Sequence, residues 1–294
     1  MDAPTAPRPR ADGAAVDGPL VILAGGGRFP VLIAEAAAAA GRRVAIAALR
    51  GEAQPDIERF PHRWIGLGQL GALMRLIRRE GARDLCIIGG IRNRRMPGLA
   101  DIDFGGILEV IRNWRILALG DDSILRKIAR GFEARGLRVV GAAEVAPHLV
   151  VPVGPLGAVA PTAADLAEIA AGAAAARAHG RRDLGQGVVV AGGRIAVREG
   201  PAGTDAMMRA FGVLRRAGSA APGVLVKCLK PTQDRRLDMP AIGPDTVRVA
   251  IESGLRGIAV EAGGTLIADR AEAVRLADAA GLFVYGIAGG EGES

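Results

Sequence analysis

The residues best suited to chemistry are concentrated in one stretch, "VLVKCLKPTQDRRLDMPAIGP", from Val224 to Pro244. An apolar, strand-like run leads into Lys227, Lys230, Gln233, Asp234, Arg235, Arg236 and Asp238, and Pro231 and Pro240 stiffen the loop on either side. Lys227 interrupts the apolar run, where an unpaired ammonium is costly. Arg235 and Arg236 offer planar guanidinium forks that suit phosphate oxygens. Lys230 and Gln233 belong to the same phosphate-facing set. Asp238 follows in the same loop, placed to hold a divalent cation or to orient a water against the bound phosphate. A solvated loop with internal ion pairs is the bland alternative. Glu261, in "GIAVEAGGTLI", ends a neighbouring strand and joins the candidate site, because ligands of open α/β sheets bind at that end of the strands.

Three further places carry weaker signals. "VILAGGGRFP" runs from strand through Gly25, Gly26 and Gly27 into a helix, an arrangement that cradles phosphates. The dinucleotide fingerprint needs glycines at its first, third and sixth places; Gly25 and Gly27 fit, but Pro30 occupies the last. Three readings stay open there: a tight turn, a phosphate contact or NAD binding. "GDDSILRK" sets Asp121, Asp122 and Ser123 at a helix start, as a cap or as Mg²⁺ carboxylates. "GTDAMM" repeats the motif type, with Thr204 as the expected N-cap and Asp205 as a second candidate ligand. His62, His148 and His179 are scattered and lack metal spacing. No nucleophile elbow and no Walker A sequence occurs, which argues against an α/β hydrolase or a P-loop NTPase.

These groups need a scaffold, and the chain alternates strands with helices almost throughout. "PLVILAGGG", "RVAIAAL", "DLCIIGG" and "LRVVGA" read as buried strands separated by helical stretches such as "QLGALMRLIRREG". That order predicts an α/β fold with a Rossmann-like N-terminal domain built on a parallel sheet. A proline-rich linker over 146–162 then leads to a second α/β domain over 163–290, the first spanning 19–145. In the second, "GVVVAGGRIAVRE" reads as a hairpin turning at Gly192 and Gly193. Residues 1–18 read as a mobile tail.

With 294 residues, 50% of them hydrophobic, the chain can bury large cores, but aromatics are only 3%, so those cores are aliphatic. The formal charge of +7, mostly from arginine, favours an anionic partner. Nucleic acid is disfavoured, since single-strand readers stack bases on aromatic platforms. Cys86 and Cys228 lie in apolar runs and read as reduced core thiols of a cytoplasmic protein. No apolar run reaches the length of a membrane span, although transient contact with a membrane surface is compatible with the charge.

The segments "LVILAGGGRFPVLIAEAA", "GQLGALMRLIRREGARDLCIIGGIRN", "GDDSILRKIARGFEARGLRVVGAAEV", "DLGQGVVV", "GTDAMM", "VLVKCLKPTQDRRLDMPAIGPDTV" and "GIAVEAGGTLIADR" together resemble the LpxI-type UDP-2,3-diacylglucosamine pyrophosphatases. The resemblance covers nearly the whole chain after the tail. It implies Mg²⁺-dependent hydrolysis of a UDP-linked diacylglucosamine lipid to UMP and 2,3-diacylglucosamine 1-phosphate (lipid X) in lipid A biosynthesis. It also implies two domains closing over the lipid, a homodimer, and work at the inner face of the inner membrane. The essential aspartate of the family motif falls on Asp238. "REGPAGTDAMM" departs from the family's closer Glu-Gly-Thr-Asp spacing and leaves Glu199 and Asp205 competing for one position. Two other readings remain beside it: an NAD(P)-dependent nucleotide-sugar oxidoreductase, which lacks a Tyr-x-x-x-Lys donor because Tyr285 is the only tyrosine, and a non-catalytic nucleotide or phospholipid binder.

Overall fold

The structure is a computed structural model and describes residues 18–91, 121–230 and 233–289. The first half is a five-stranded sheet of β1 (Leu20–Ala24), β2 (Val44–Leu49), β3 (His62–Ile65), β4 (Asp84–Ile88) and β5 (Arg138–Val140), in the order β3-β2-β1-β4-β5. All its pairings are parallel. Helices α1 (Phe29–Ala39), α2 (Leu70–Glu80), α3 (Asp121–Glu133) and the single turn α4 (Ala142–Val145) accompany the strands. Every residue of β2 is buried, as a parallel strand covered on both faces requires. Each fully buried large aliphatic of this sheet, such as Ile22 on β1 or Ile46 on β2, contributes roughly 1.5–3 kcal/mol by leaving water. β3 reads "HRWI" and begins with two exposed residues, so no apolar pattern announces it; it forms as the edge partner of β2.

The second half carries a six-stranded mixed sheet, ordered β6-β13-β11-β9-β7-β8. Its strands are β6 (Gly154–Pro155), β7 (Gly187–Ala191), β8 (Arg194–Arg198), β9 (Gly223–Lys227), β11 (Leu255–Glu261) and β13 (Phe283–Ile287). The central three, β9, β11 and β13, are parallel, and antiparallel strands flank them. The β7–β8 hairpin turns at Gly192 and Gly193, both with left-handed φ, as its Gly-Gly pair predicts. Helix α5 (Ala163–Arg181) covers one face of the sheet, and α6 (Gly203–Arg216), α7 (Pro244–Glu252) and α8 (Arg270–Ala279) cover the other. A small parallel pair, β10 (Ala241–Ile242) and β12 (Leu266–Ile267), lies beside this sheet.

The proline-rich stretch between the halves is packed along much of its length. Ala146 and Leu149 belong to the N-terminal core, and Val151 belongs to the C-terminal core. Val151 N donates to Thr265 O, β6 pairs with β13, and Asp278 Oδ1 accepts from Ala158 N and Val159 N. The stretch ends in a capping box in which Thr162 and Asp165 satisfy each other's backbone amides at the start of α5. No helix of the described residues is long and apolar enough to cross a membrane.

Candidate functional site

Lys227 is the last residue of β9 and is buried, 7% exposed. Among the described residues nothing forms a hydrogen bond or an ion pair with its ammonium. Burial pushes its pKa below the ordinary lysine value, while the charges of Glu199, Asp238 and Asp205 pull in the opposite direction. Glu199 follows β8 and is also buried, with both carboxylate oxygens engaged. Its Oε1 accepts from Thr204 Oγ1 at 2.6 Å and its Oε2 from Gln186 N at 2.8 Å. The space for this side chain exists because Gly187, in register with Lys227, has no Cβ; one would sit 3.2 Å from Glu199 Oε2. His179 braces the same residue, its Nε2 lying 2.6 Å from the Glu199 carbonyl oxygen.

Lys227 lines a cavity of about 280 Å³ together with Gly203, Thr204, Asp205, Ala241 and Thr246. Gly203–Asp205 form the first turn of α6, and Thr246 lies in the first turn of α7. Two helix N-termini and an ammonium therefore converge on one space, which gives it positive potential and backbone donors without intrahelical acceptors. Thr204 is not the cap of α6: Ala202 holds that position without a side-chain hydrogen bond, and the Thr204 hydroxyl is drawn instead to buried Glu199. Asp205 is exposed in the same first turn and makes no hydrogen bond or ion pair with a described residue.

Asp238 lies on the loop after β9, and its charge is felt at the Lys227 ammonium although its side chain is not on the lining of that cavity. Its Oδ2 accepts from Gln233 Nε2 at 2.5 Å, and its backbone N–H donates to Asp234 O at 3.1 Å. The neighbours on either side anchor the loop in the opposite half of the molecule. Leu237 packs against the core on one face of the N-terminal sheet and Met239 against the core on the other. A Cβ on Gly141, just past β5, would meet Arg236 Cα at 3.1 Å, so the loop passes hard over the end of that edge strand.

Comparison with known proteins matches this two-part layout. Residues 19–149 fit the model of the LpxI N-terminal domain and residues 152–285 that of the LpxI C-terminal domain. The chain is 36% identical over 279 residues to the UDP-2,3-diacylglucosamine pyrophosphatase LpxI of Caulobacter vibrioides (strain ATCC 19089 / CIP 103742 / CB 15), covering 91% of this chain and 97% of that protein. The chain belongs to the LpxI family. Within this LpxI-family protein the boundary between the two matched domains falls where the chain passes from one core to the other, between Leu149 and Val151.

The remaining charges of the loop lie elsewhere in the LpxI-family fold. Glu261 ends β11, but on the sheet face opposite Lys227. Val260 is the residue in register with Lys227, so Glu261 follows Cys228 towards α5. There it is buried between Arg177 and Arg235, each 3.6 Å away. Arg235 is the more exposed of the loop's two guanidiniums. Arg236 is occupied by carboxylates: Nε and Nη2 donate to Asp234 and Nη1 donates to Glu133 at 2.6 Å. Those hydrogen bonds hold the Asp234 carboxyl below the usual carboxylate range. Lys230 Nζ donates to Asp183 at 2.7 Å.

The glycine turn of the LpxI-family N-terminal half is a packing device at its first two residues. Gly25 N donates to Ile88 O, and Gly26 N and O exchange hydrogen bonds with Gly90. A Cβ on Gly25 would lie 2.6 Å from Gly89 O, so two glycine turns pack back to back. Gly27, with φ of 93°, leads on to Arg28, whose guanidinium pairs with Asp269 across the domain boundary. The side chain of Asp122 lies outside the described residues, as do Pro231 and Thr232. Both cysteines are buried and free, and burial pushes Cys86 up to about 12 and Cys228 up to about 11. Sequence reasoning missed the roles of Gln186 and His179 in holding Glu199. Gln186 acts through its backbone N–H, which no side-chain type announces, and His179 lies on a helix twenty residues before Glu199 in the chain.

Proposed function

We propose that this protein hydrolyses the pyrophosphate of UDP-2,3-diacylglucosamine to UMP and 2,3-diacylglucosamine 1-phosphate, with Mg²⁺ as cofactor. The reading is supported above all by the cavity where Lys227 and the first turns of α6 and α7 converge, with Asp205 on its lining and Asp238 among the charges felt at that ammonium. The activity named for the Caulobacter relative supplies the substrate.

Among the described residues no group of three His, Cys, Asp or Glu side chains gathers as a metal cage. That suits Mg²⁺, which is held by one or two carboxylates together with water and substrate phosphates. Asp238 and Asp205 would hold it: hard oxygen ligands, one with an oxygen left unengaged and the other without a side-chain partner among the described residues. When bound, the cation offsets pyrophosphate charge and lowers the pKa of water. Lys227 offsets further charge as it develops on the phosphoryl oxygens, in a site where burial keeps its ammonium poorly hydrated. The backbone N–H groups at the start of α6 orient the phosphate. Asp238 Oδ1, which receives no hydrogen bond from a described residue, orients the attacking water. Glu199 takes no direct part; it fixes Thr204 and balances Lys227. Arg235, exposed and free to swing from Glu261, meets the distal phosphate.

A homodimer working transiently at the cytoplasmic side of a membrane belongs to the same proposal. It is supported by the lipid nature of the substrate and by exposed Val213 and Leu214 on α6 and Ile251 on α7. The test is Asp238→Ala assayed for UMP release from the UDP-lipid. A loss of about 10³-fold or more, with the fold retained, is expected; turnover near that of the unaltered protein would sink the reading.

A further inference from the structure

We infer that Gln233 is a positioning residue whose side-chain amide sets the orientation of the Asp238 carboxylate. The inference rests on the reading of Asp238 as the residue that orients water or cation. Gln233 is buried, 9% exposed, and both ends of its amide are occupied. Oε1 accepts from Lys230 N at 3.1 Å and Nε2 donates to Asp238 Oδ2 at 2.5 Å. Only one orientation of the amide satisfies both partners, because a backbone N–H demands the oxygen and a carboxylate demands the NH₂. Gln233 N also donates to Lys230 O at 3.0 Å, so backbone and side chain tie residues 230 and 233 into one closed unit. A substrate contact through this amide would have to break one of these bonds.

Asp238 needs such a partner. Its backbone is held by Asp234 O, and Leu237 and Met239 are anchored in separate cores, but its side chain meets no other donor among the described residues. An aspartate on a loop otherwise turns about two side-chain torsions. The hydrogen bond from Gln233 engages Oδ2 and leaves Oδ1 for the reaction. The sense of the pairing also matters: a donor at this point engages Oδ2 without competing for the second oxygen.

Two variants separate the two ends of the amide. Gln233→Met keeps the length and removes both hydrogen bonds. Gln233→Glu keeps the acceptor for Lys230 N but faces Asp238 with a like charge. Both are assayed for UMP release from UDP-2,3-diacylglucosamine, with kcat and KM resolved and thermal melting recorded. The expected result is a kcat lowered by about 10- to 100-fold in both variants, with KM within about twofold of the unaltered protein. Melting should fall in both variants, from the lost hydrogen bonds in Gln233→Met and from the buried like charge in Gln233→Glu, so the kinetics are read well below both midpoints. A Gln233→Glu protein with normal kcat would reduce the residue to a brace for the loop and overturn the inference. A raised KM with kcat kept would make Gln233 a substrate contact and overturn it equally. If Asp238→Ala itself stays active, the reading of the site fails; if Asp238→Ala is dead while both Gln233 variants are normal, only this inference fails.

Discussion

Arg236 Nη1 donates to Glu133 Oε1 at 2.6 Å, and this bond joins the loop that carries Asp238 to the end of α3 in the other half of the molecule. The same loop sends Leu237 and Met239 into the cores on either face of the N-terminal sheet. Sequence position assigns Asp238 to the C-terminal domain, but its place in space is set by the N-terminal one.

The ion pair and the apolar anchors should not weigh equally. Arg236 is 43% exposed and Glu133 36%, so Glu133→Gln should cost less than about 1 kcal/mol, as exposed pairs do. Leu237→Ala should cost about 2 kcal/mol, the low end for a core truncation because the residue is only partly buried. Leu237→Ala should also lower kcat, since Asp238 is its chain neighbour. Chemical denaturation and UMP-release kinetics on the two variants check both points. Equal losses of stability would show that the bond holds the loop as strongly as the packing does.

Lys227→Met should abolish turnover while making the fold more stable. Burial depresses the pKa of Lys227 below about 10.5 in the folded protein. Between that lowered value and the unfolded one, the unfolded chain binds more protons, so stability rises with pH across the window. Below the window the burial penalty on the ammonium is carried in full. Methionine carries no such penalty, so its denaturation midpoint should exceed that of the unaltered protein at pH 7. The alkaline rise in stability should flatten as well. Denaturant titrations at a series of pH values measure this, and a Lys227→Met protein less stable than its parent at pH 7 would contradict it.

The two glycines that meet at the end of the N-terminal sheet should respond in opposite ways. Gly25→Ala forces a Cβ to within 2.6 Å of Gly89 O and 2.7 Å of Gly90 O, both rigid backbone atoms, and should lower the melting temperature sharply. A Cβ on Gly90 meets nothing within 4 Å, so Gly90→Ala should be nearly neutral. Melting curves for the two variants decide whether Gly25 is needed for packing. A normal melt for Gly25→Ala, with substrate affinity lost, would return that residue to the phosphate site.

The alternation of strands and helices is legible in the residues alone, because burial on both faces of a parallel sheet writes long aliphatic runs and the turns between them need glycine. The sequence also singled out Lys227 and Asp238, since a lysine inside an apolar strand and an aspartate between two arginines and a proline are locally conspicuous. β3 stayed hidden, because an exposed edge strand needs no apolar period. Which charges share a space depends on the packing of the folded chain. Strand alternation sends Lys227 and Glu261 to opposite faces, although both end neighbouring strands. Arg236 is bound to Glu133, more than a hundred residues away in the chain, and Thr204 turns from its helix end to a buried glutamate. Charge pairing acts through space, and its range along the chain is set by the fold that brings the partners together.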